Sequence, residues 1–172
     1  MNKELFDSTK KQRITFDIQC TFDGCSKGNP GPGGFGWSIS TVGYGWEYIP
    51  HCTNNEAEYG GLAGLLKAII DRVPSEPKVE ICIRGDSKLV ICQINGNWKP
   101  PNIKTSHNLI KPYQHCLEMV NKINKRHLLT LEWSPREYNF IADRLANLSV
   151  KKQSTYFEEI MNVDIHYLTK RF

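Results

Sequence analysis

The sequence predicts an α/β domain, a mixed sheet flanked by helices, and three observations carry that expectation. Residues 14–22, ITFDIQCTF, alternate Ile14, Phe16, Ile18, Cys20 and Phe22 against mostly polar neighbours, the period-2 signature of a half-buried strand. Two aromatic-rich β-type runs follow, FGWSIS at 35–40 and YGWEYI at 44–49, separated by a short Gly-containing turn. Three strands in succession read as an antiparallel meander. Beyond them helical and β-type segments alternate, the pattern of strands joined by crossover helices. At 172 residues the chain has room for one domain with a real core, plus tails.

Thr53-Asn54-Asn55 offers capping side chains ahead of EAEYGGLAGLLKAIIDR, where Tyr59, Leu62, Leu66, Ile69 and Ile70 recur at helical spacing. Gly60, Gly61 and Gly64 each cost that helix about 1 kcal/mol relative to Ala, which close approach to the sheet would offset. Val73-Pro74-Ser75-Glu76-Pro77 ends it, KVEICIR (78–84) reads as a strand and SKLVICQING (87–96) as a short helix. Residues 105–125 read as helical, with Pro112 marking a start or a kink. LLTLEW (128–133) is a fifth strand, Ser134 to Glu137 a loop, and Asn139 to Val150 an amphipathic helix. Residues 1–13 form a polar N-terminal tail, 14–150 the domain, and 151–172 a C-terminal extension of mixed helical and β character.

Composition excludes several classes. No apolar run approaches the ~20 residues that cross a bilayer, and MNKELFDSTKKQR lacks the apolar centre of a signal peptide. The expectation is a cytoplasmic or nuclear protein with no membrane partner. Six cysteines stand singly, without a CxxC pair or a His cluster at zinc spacing, so they read as reduced thiols serving as small hydrophobes. Lys and Arg total 22 against 18 Asp and Glu. Gathering four of those carboxylates around cations would leave the rest of the surface distinctly basic, which suits a polyanion.

Gly31-Pro32-Gly33-Gly34-Phe35-Gly36 spells the GxGxxG of dinucleotide-binding loops. Such a loop must open a helix whose N-terminal amides hold the pyrophosphate. Here a β-type run follows, Pro30 and Pro32 remove amides, and no GK[ST] completes a Walker pattern. The stretch reads instead as a hairpin-edge loop beside Asp23, an aspartate at a strand's end where permissive backbone lets a charged polymer come close. Three further carboxylates sit near element ends: Glu58 one turn into the first long helix, Asp86 after KVEICIRG, and Asp143 early in the last helix. A pair of hard cations needs about this many carboxylates and can clamp the attacking and leaving oxygens of a phosphoryl transfer.

Four blocks, FDGCSKGNPGPGGFGW, TNNEAEYGGLAGLLKAI, IRGDSKLVICQINGNWK and SPREYNFIADRLAN, together resemble the type I ribonuclease H family in the family's order, across roughly residues 14–150. The resemblance implies a ribonuclease H-like fold with a five-stranded mixed sheet. It implies an endonuclease that hydrolyses the RNA strand of RNA/DNA hybrids with two Mg²⁺ ions, Mn²⁺ being the alternative, and leaves 5′-phosphate and 3′-hydroxyl ends. Carried over residue by residue, the catalytic, metal-binding acids fall on Asp23, Glu58, Asp86 and Asp143. Nucleic-acid contacts fall on Gly24, Cys25, Ser26, Asn29, Asn54, Asn55, Ser87, Trp98, Arg136 and Asn139. The RNA 2′-OH is the feature that short polar groups and backbone at the first of these would read, while Trp98 would lie along the DNA strand.

The loop ahead of the last acidic helix departs from the bacterial pattern. It reads SPREYN, with no His, and so resembles the archaeal and plant-like branch of the family. Arginine cannot serve as a general base at neutral pH, so Arg136 would bind phosphate or aid product departure. The implied protein acts on an RNA/DNA hybrid as a monomer. The rival readings are a different enzyme on the same fold, such as an integrase, transposase or proofreading exonuclease, against which TNNEAE with GDSK argues, and a module that binds hybrids or partners without cutting them.

Overall fold

In the computed structural model, residues 17–159 are described. The expected meander is present as β1 (Ile18–Ser26), β2 (Gly31–Ile39) and β3 (Gly43–Cys52), followed by α1 (Asn54–Arg72). Then come β4 (Glu80–Gly85), α2 (Lys88–Ile94), α3 (His107–Asn124) and β5 (Leu128–Trp133). A 3₁₀ turn at Arg136–Tyr138 leads into α4 (Phe140–Lys152), and β6 (Tyr156–Glu159) closes the described chain. The sheet order is β5-β4-β1-β2-β3-β6. β1, β4 and β5 run parallel, and β2, β3 and β6 join antiparallel.

The sheet therefore has six strands where five were expected. The addition comes from the C-terminal extension, so the fold continues past residue 150. β6 docks on the free edge of β3 through aromatic contacts, with the Tyr156 ring 4.5 Å from Trp46 and Phe157 5.5 Å from Trp37. The expected start of β1 at residues 14–16, the tail at 1–13 and residues 160–172 lie outside the described residues.

Two further expectations are corrected. Asp23 is not at the end of its strand, because β1 continues to Ser26 and Asp23 pairs with Gly36. The stretch from Gly31 to Gly36 is also not a loop. It forms the first two-thirds of β2, and the turn is confined to residues 27–30, with Gly28 at φ +134° and Asn29 at φ 99°. The glycines serve packing against α4. A Cβ on Gly34 would stand 2.0 Å from Ser149 Oγ, and one on Gly36 2.3 Å from Leu145 Cβ.

α1 and α3 cover the opposite face, where Phe22, Tyr59, Leu62, Leu65, Leu66, Ile81 and Ile83 are fully buried. α1 starts with a capping box, in which Glu56 N–H donates to Thr53 Oγ1 and Thr53 N–H donates to Glu56 Oε2 at 2.7 Å. Its glycines do bring it close to the sheet: a Cβ on Gly61 would lie 2.7 Å from the Asp23 carbonyl oxygen. Pro112 sits inside α3, five residues past the first, so it does not mark the start. The six cysteines are free thiols, and burial pushes Cys82 and Cys116 up to about 12, which keeps both protonated and unreactive at neutral pH. No helix among the described residues is long and apolar enough to cross a membrane.

Candidate active site

The four acids come from four elements that meet at one end of the sheet. Successive strand residues face opposite sides. Phe22 and Gly24 face α1, while Asp23 shares the side of its partner Gly36, which packs on α4. Asp143 lies in the first turn of that helix. Glu58 stands in the first turns of α1, whose backbone touches Gly24. Asp86 follows directly on β4, the parallel neighbour of β1.

Electrostatics bear out the convergence. Asp23 is only 6% exposed, and burial pushes its carboxyl up to about 8, with the charges of Asp86, Asp143 and Glu58 adding to the rise and the Gly24 amide opposing it. Glu58 is raised too, by burial first and by Asp86, against hydrogen bonds from Ser87 and Asn54. Asp23 and Glu58, each raised by burial and by neighbouring carboxylates, belong to a cluster that a proton or a hard cation relieves.

Each carboxylate is meanwhile held by a protein donor. Gly24 N–H donates to Asp23 Oδ1 at 2.8 Å, Ser87 Oγ to Glu58 Oε2 at 2.5 Å, and Asn54 Nδ2 to Glu58 Oε1 at 3.0 Å. Asn139 Nδ2 donates to Asp86 Oδ1 at 3.3 Å, and Arg136 Nη2 to Asp143 Oδ1 at 2.6 Å. No three His, Cys, Asp or Glu side chains among the described residues close into a ligand shell. The donor set is nonetheless all oxygen and anionic, which fits Mg²⁺ or Mn²⁺ and not a thiol-seeking metal.

The structure divides the expected nucleic-acid contacts. Asn29, Asn55, Trp98 (48% exposed) and Arg136 present exposed side chains, and Cys25, Ser26 and Asn54 are partly buried. Asn29 Oδ1 accepts from the Asn54 amide at 2.8 Å, which ties the β1–β2 turn to the start of α1 beside Glu58. The Ser26 hydroxyl is committed to the Cys52 carbonyl at 2.8 Å. Gly24, Ser87 and Asn139 are buried, and the side chains of Ser87 and Asn139 are engaged within the protein. Gly24 packs on α1, Ser87 caps α2 while donating to Glu58, and Asn139 donates to Asp86 and to the Phe22 carbonyl. No hydrogen bond among the described residues links Trp98 to the acids.

The family model described as RNase H matches residues 17–151. The chain belongs to the RNase H family. Its RNase H domain is 34% identical to ribonuclease HI of Halobacterium salinarum over 143 residues, covering 76% of this chain and 62% of the relative. It is 36% identical over 132 residues to the bifunctional protein Rv2228c of Mycobacterium tuberculosis, covering 73% of this chain and 33% of that protein. The chain thus spans about a third of the length of the mycobacterial relatives it matches. Among solved structures, LC11-RNase H1 in complex with an RNA/DNA hybrid superposes with a TM-score of 0.70 at 28% identity, covering 79% of this chain and 98% of that one.

Around the RNase H site the structure adds Trp133 and Lys88, which sequence reasoning missed. Trp133 Nε1 donates to the Asp86 carbonyl at 3.0 Å, its ring is 43% exposed, and Lys88 Nζ lies 4.5 Å from the ring centroid. Trp133 pairs with Gly85 at the carboxyl end of parallel strands, where α/β sheets place their ligands. That position was the available signal.

Proposed function

We propose that this chain hydrolyses the RNA strand of RNA/DNA hybrids and leaves 5′-phosphate and 3′-hydroxyl ends, with Asp23, Glu58, Asp86 and Asp143 as ligands of two Mg²⁺ ions. The observation that carries this reading is Asp23, buried at the sheet surface with three other carboxylates acting on it, in a chain of this family. When bound, the ions supply an activated water and neutralise the charge that grows on the leaving oxygen. The protein's part is to hold three of the carboxylates, Asp23, Glu58 and Asp86, in place through Gly24, Ser87, Asn54 and Asn139, while α4 carries Asp143. In this reading Asn29, Asn54 and Asn55 would read the RNA 2′-OH, and Arg136 would bind a phosphate.

The direct test incubates the purified chain with an end-labelled RNA/DNA hybrid, in Mg²⁺ and in chelator, beside DNA duplex. Cleavage of the RNA strand only, and only with the metal, is expected. Hybrid binding without cleavage in either Mg²⁺ or Mn²⁺ would instead establish the non-cutting module.

Arg136 supplies a second expected result. Its guanidinium holds Asp143 Oδ1 at 2.6 Å, so it competes with a cation for that carboxylate. An exposed pair of this kind is worth roughly 0.2–1 kcal/mol. Arg136→Ala should therefore lower the Mg²⁺ concentration at half-saturation by at most about 5-fold, read by calorimetric titration. A higher requirement in the variant would show that Arg136 assists metal binding instead.

A further inference from the structure

Asn139 Oδ1 is the buried side-chain polar atom that has no hydrogen-bond partner among the described residues. The residue is 1% exposed, so bulk water does not satisfy it. Its Nδ2 donates twice, to the Phe22 carbonyl at 2.9 Å and to Asp86 Oδ1 at 3.3 Å. Both partners are pure acceptors, so the carboxamide cannot be turned over without setting Oδ1 against two other oxygens. The backbone of Asn139 is engaged as well, its carbonyl accepting from the Asp143 amide at 3.1 Å.

One side chain therefore touches the carbonyl next to Asp23 and the carboxylate of Asp86, from the residue that opens the helix bearing Asp143. Fastening α4 to β1 would need only the bond to Phe22. An amide oxygen left unsatisfied at this depth costs roughly 1–3 kcal/mol, which a role in packing alone does not explain. Resting on the two-cation reading above, we propose that Asn139 is a positioning residue. Its Nδ2 fixes the Asp86 carboxylate relative to Asp23, and its Oδ1 accepts a hydrogen bond from a water molecule held at the acidic cluster.

Groups that orient metal ligands from behind typically change metal affinity or activity by about 10- to 100-fold when removed. Asn139→Ala and Asn139→Ser in the full chain should each weaken Mg²⁺ binding, measured by isothermal titration calorimetry, by about that factor. The kcat on the hybrid should fall at saturating Mg²⁺ while KM for the hybrid holds, because Asn139 is too deep to touch the polymer. Variants that bind Mg²⁺ as the parent does, and lose only unfolding temperature, would reduce Asn139 to a structural tie and overturn the proposal. If neither variant folds, a crystal structure of the parent with Mg²⁺ decides. A water within hydrogen-bond distance of Oδ1 supports the proposal, and a dry, unpaired Oδ1 overturns it. A parent that binds no Mg²⁺ and cuts no hybrid removes the nuclease reading and this one together, whereas indifferent variants of a parent that binds and cuts remove this one alone.

Discussion

Asp23→Asn should abolish hybrid cleavage and, at the same time, make the metal-free protein more stable at pH 8. Asn keeps the oxygen that accepts from the Gly24 amide, so the local backbone is preserved. What it loses is the charge. In the folded chain the Asp23 carboxyl titrates at about 8, against an ordinary value of 3.8. Between those values the folded state holds a proton that the unfolded state has released, so stability falls as pH rises through the window and is greatest below it. The uncharged variant should lose that part of the slope and gain at least about 1.4 kcal/mol at pH 8, the worth of one pH unit. For a chain of this size that corresponds to roughly 3 °C or more in unfolding temperature. Mg²⁺ should raise the parent's unfolding temperature most at high pH and the variant's little. Cleavage should drop by at least about 10²- to 10³-fold, the scale of a lost transition-state contact. A variant that cuts near the parental rate, or that is less stable than the parent at pH 8, would remove Asp23 from the centre of the site.

The element order was legible because long segments repeat at one period. ITFDIQCTF alternates too regularly for a helix, and the apolar residues of α1 recur over 19 residues. β6 was not legible, because four residues carry no period and YFEE becomes a strand by pairing with β3, where its rings also meet Trp46 and Trp37. The glycines of β2 misled for a related reason. Gly and Pro argue against a strand locally, yet α4 needs bare backbone at Gly34 and Gly36 to approach the sheet, and that tertiary demand wins.

The four acids could be named from their motifs, since each lies in a distinctive block, and the structure brings them together. The direction of a small polar side chain was not available in the same way. Ser87 directly follows Asp86 and Asn139 lies four residues before Asp143, and nothing linear tells a residue that faces a substrate from one that faces a nearby carboxylate. Burial separates the two cases. A nucleic acid cannot reach a side chain 1% exposed, but Asp86 can.

Gly24 shows the same distinction with a larger consequence. A Cβ at this position would lie 2.1 Å from the Ala57 carbonyl carbon and 2.3 Å from the Glu58 nitrogen, both backbone atoms. No rotamer change can relieve such an overlap, so β1 and α1 must move apart. Gly24→Ala should cost at least about 3 kcal/mol, the upper part of the range for overpacked cores, and lower the unfolding temperature by roughly 6–12 °C. The strand residue next to Gly24 is Asp23 and the helix residue next to Ala57 is Glu58, so the same displacement separates two of the four carboxylates. In whatever fraction remains folded, Mg²⁺ affinity should therefore fall along with stability, while a contact with RNA alone would raise KM and leave both intact. Thermal unfolding with and without Mg²⁺ distinguishes the two. An Ala variant that melts with the parent and shows the parent's Mg²⁺ response would mean that the approach of α1 to β1 does not set the spacing of Asp23 and Glu58.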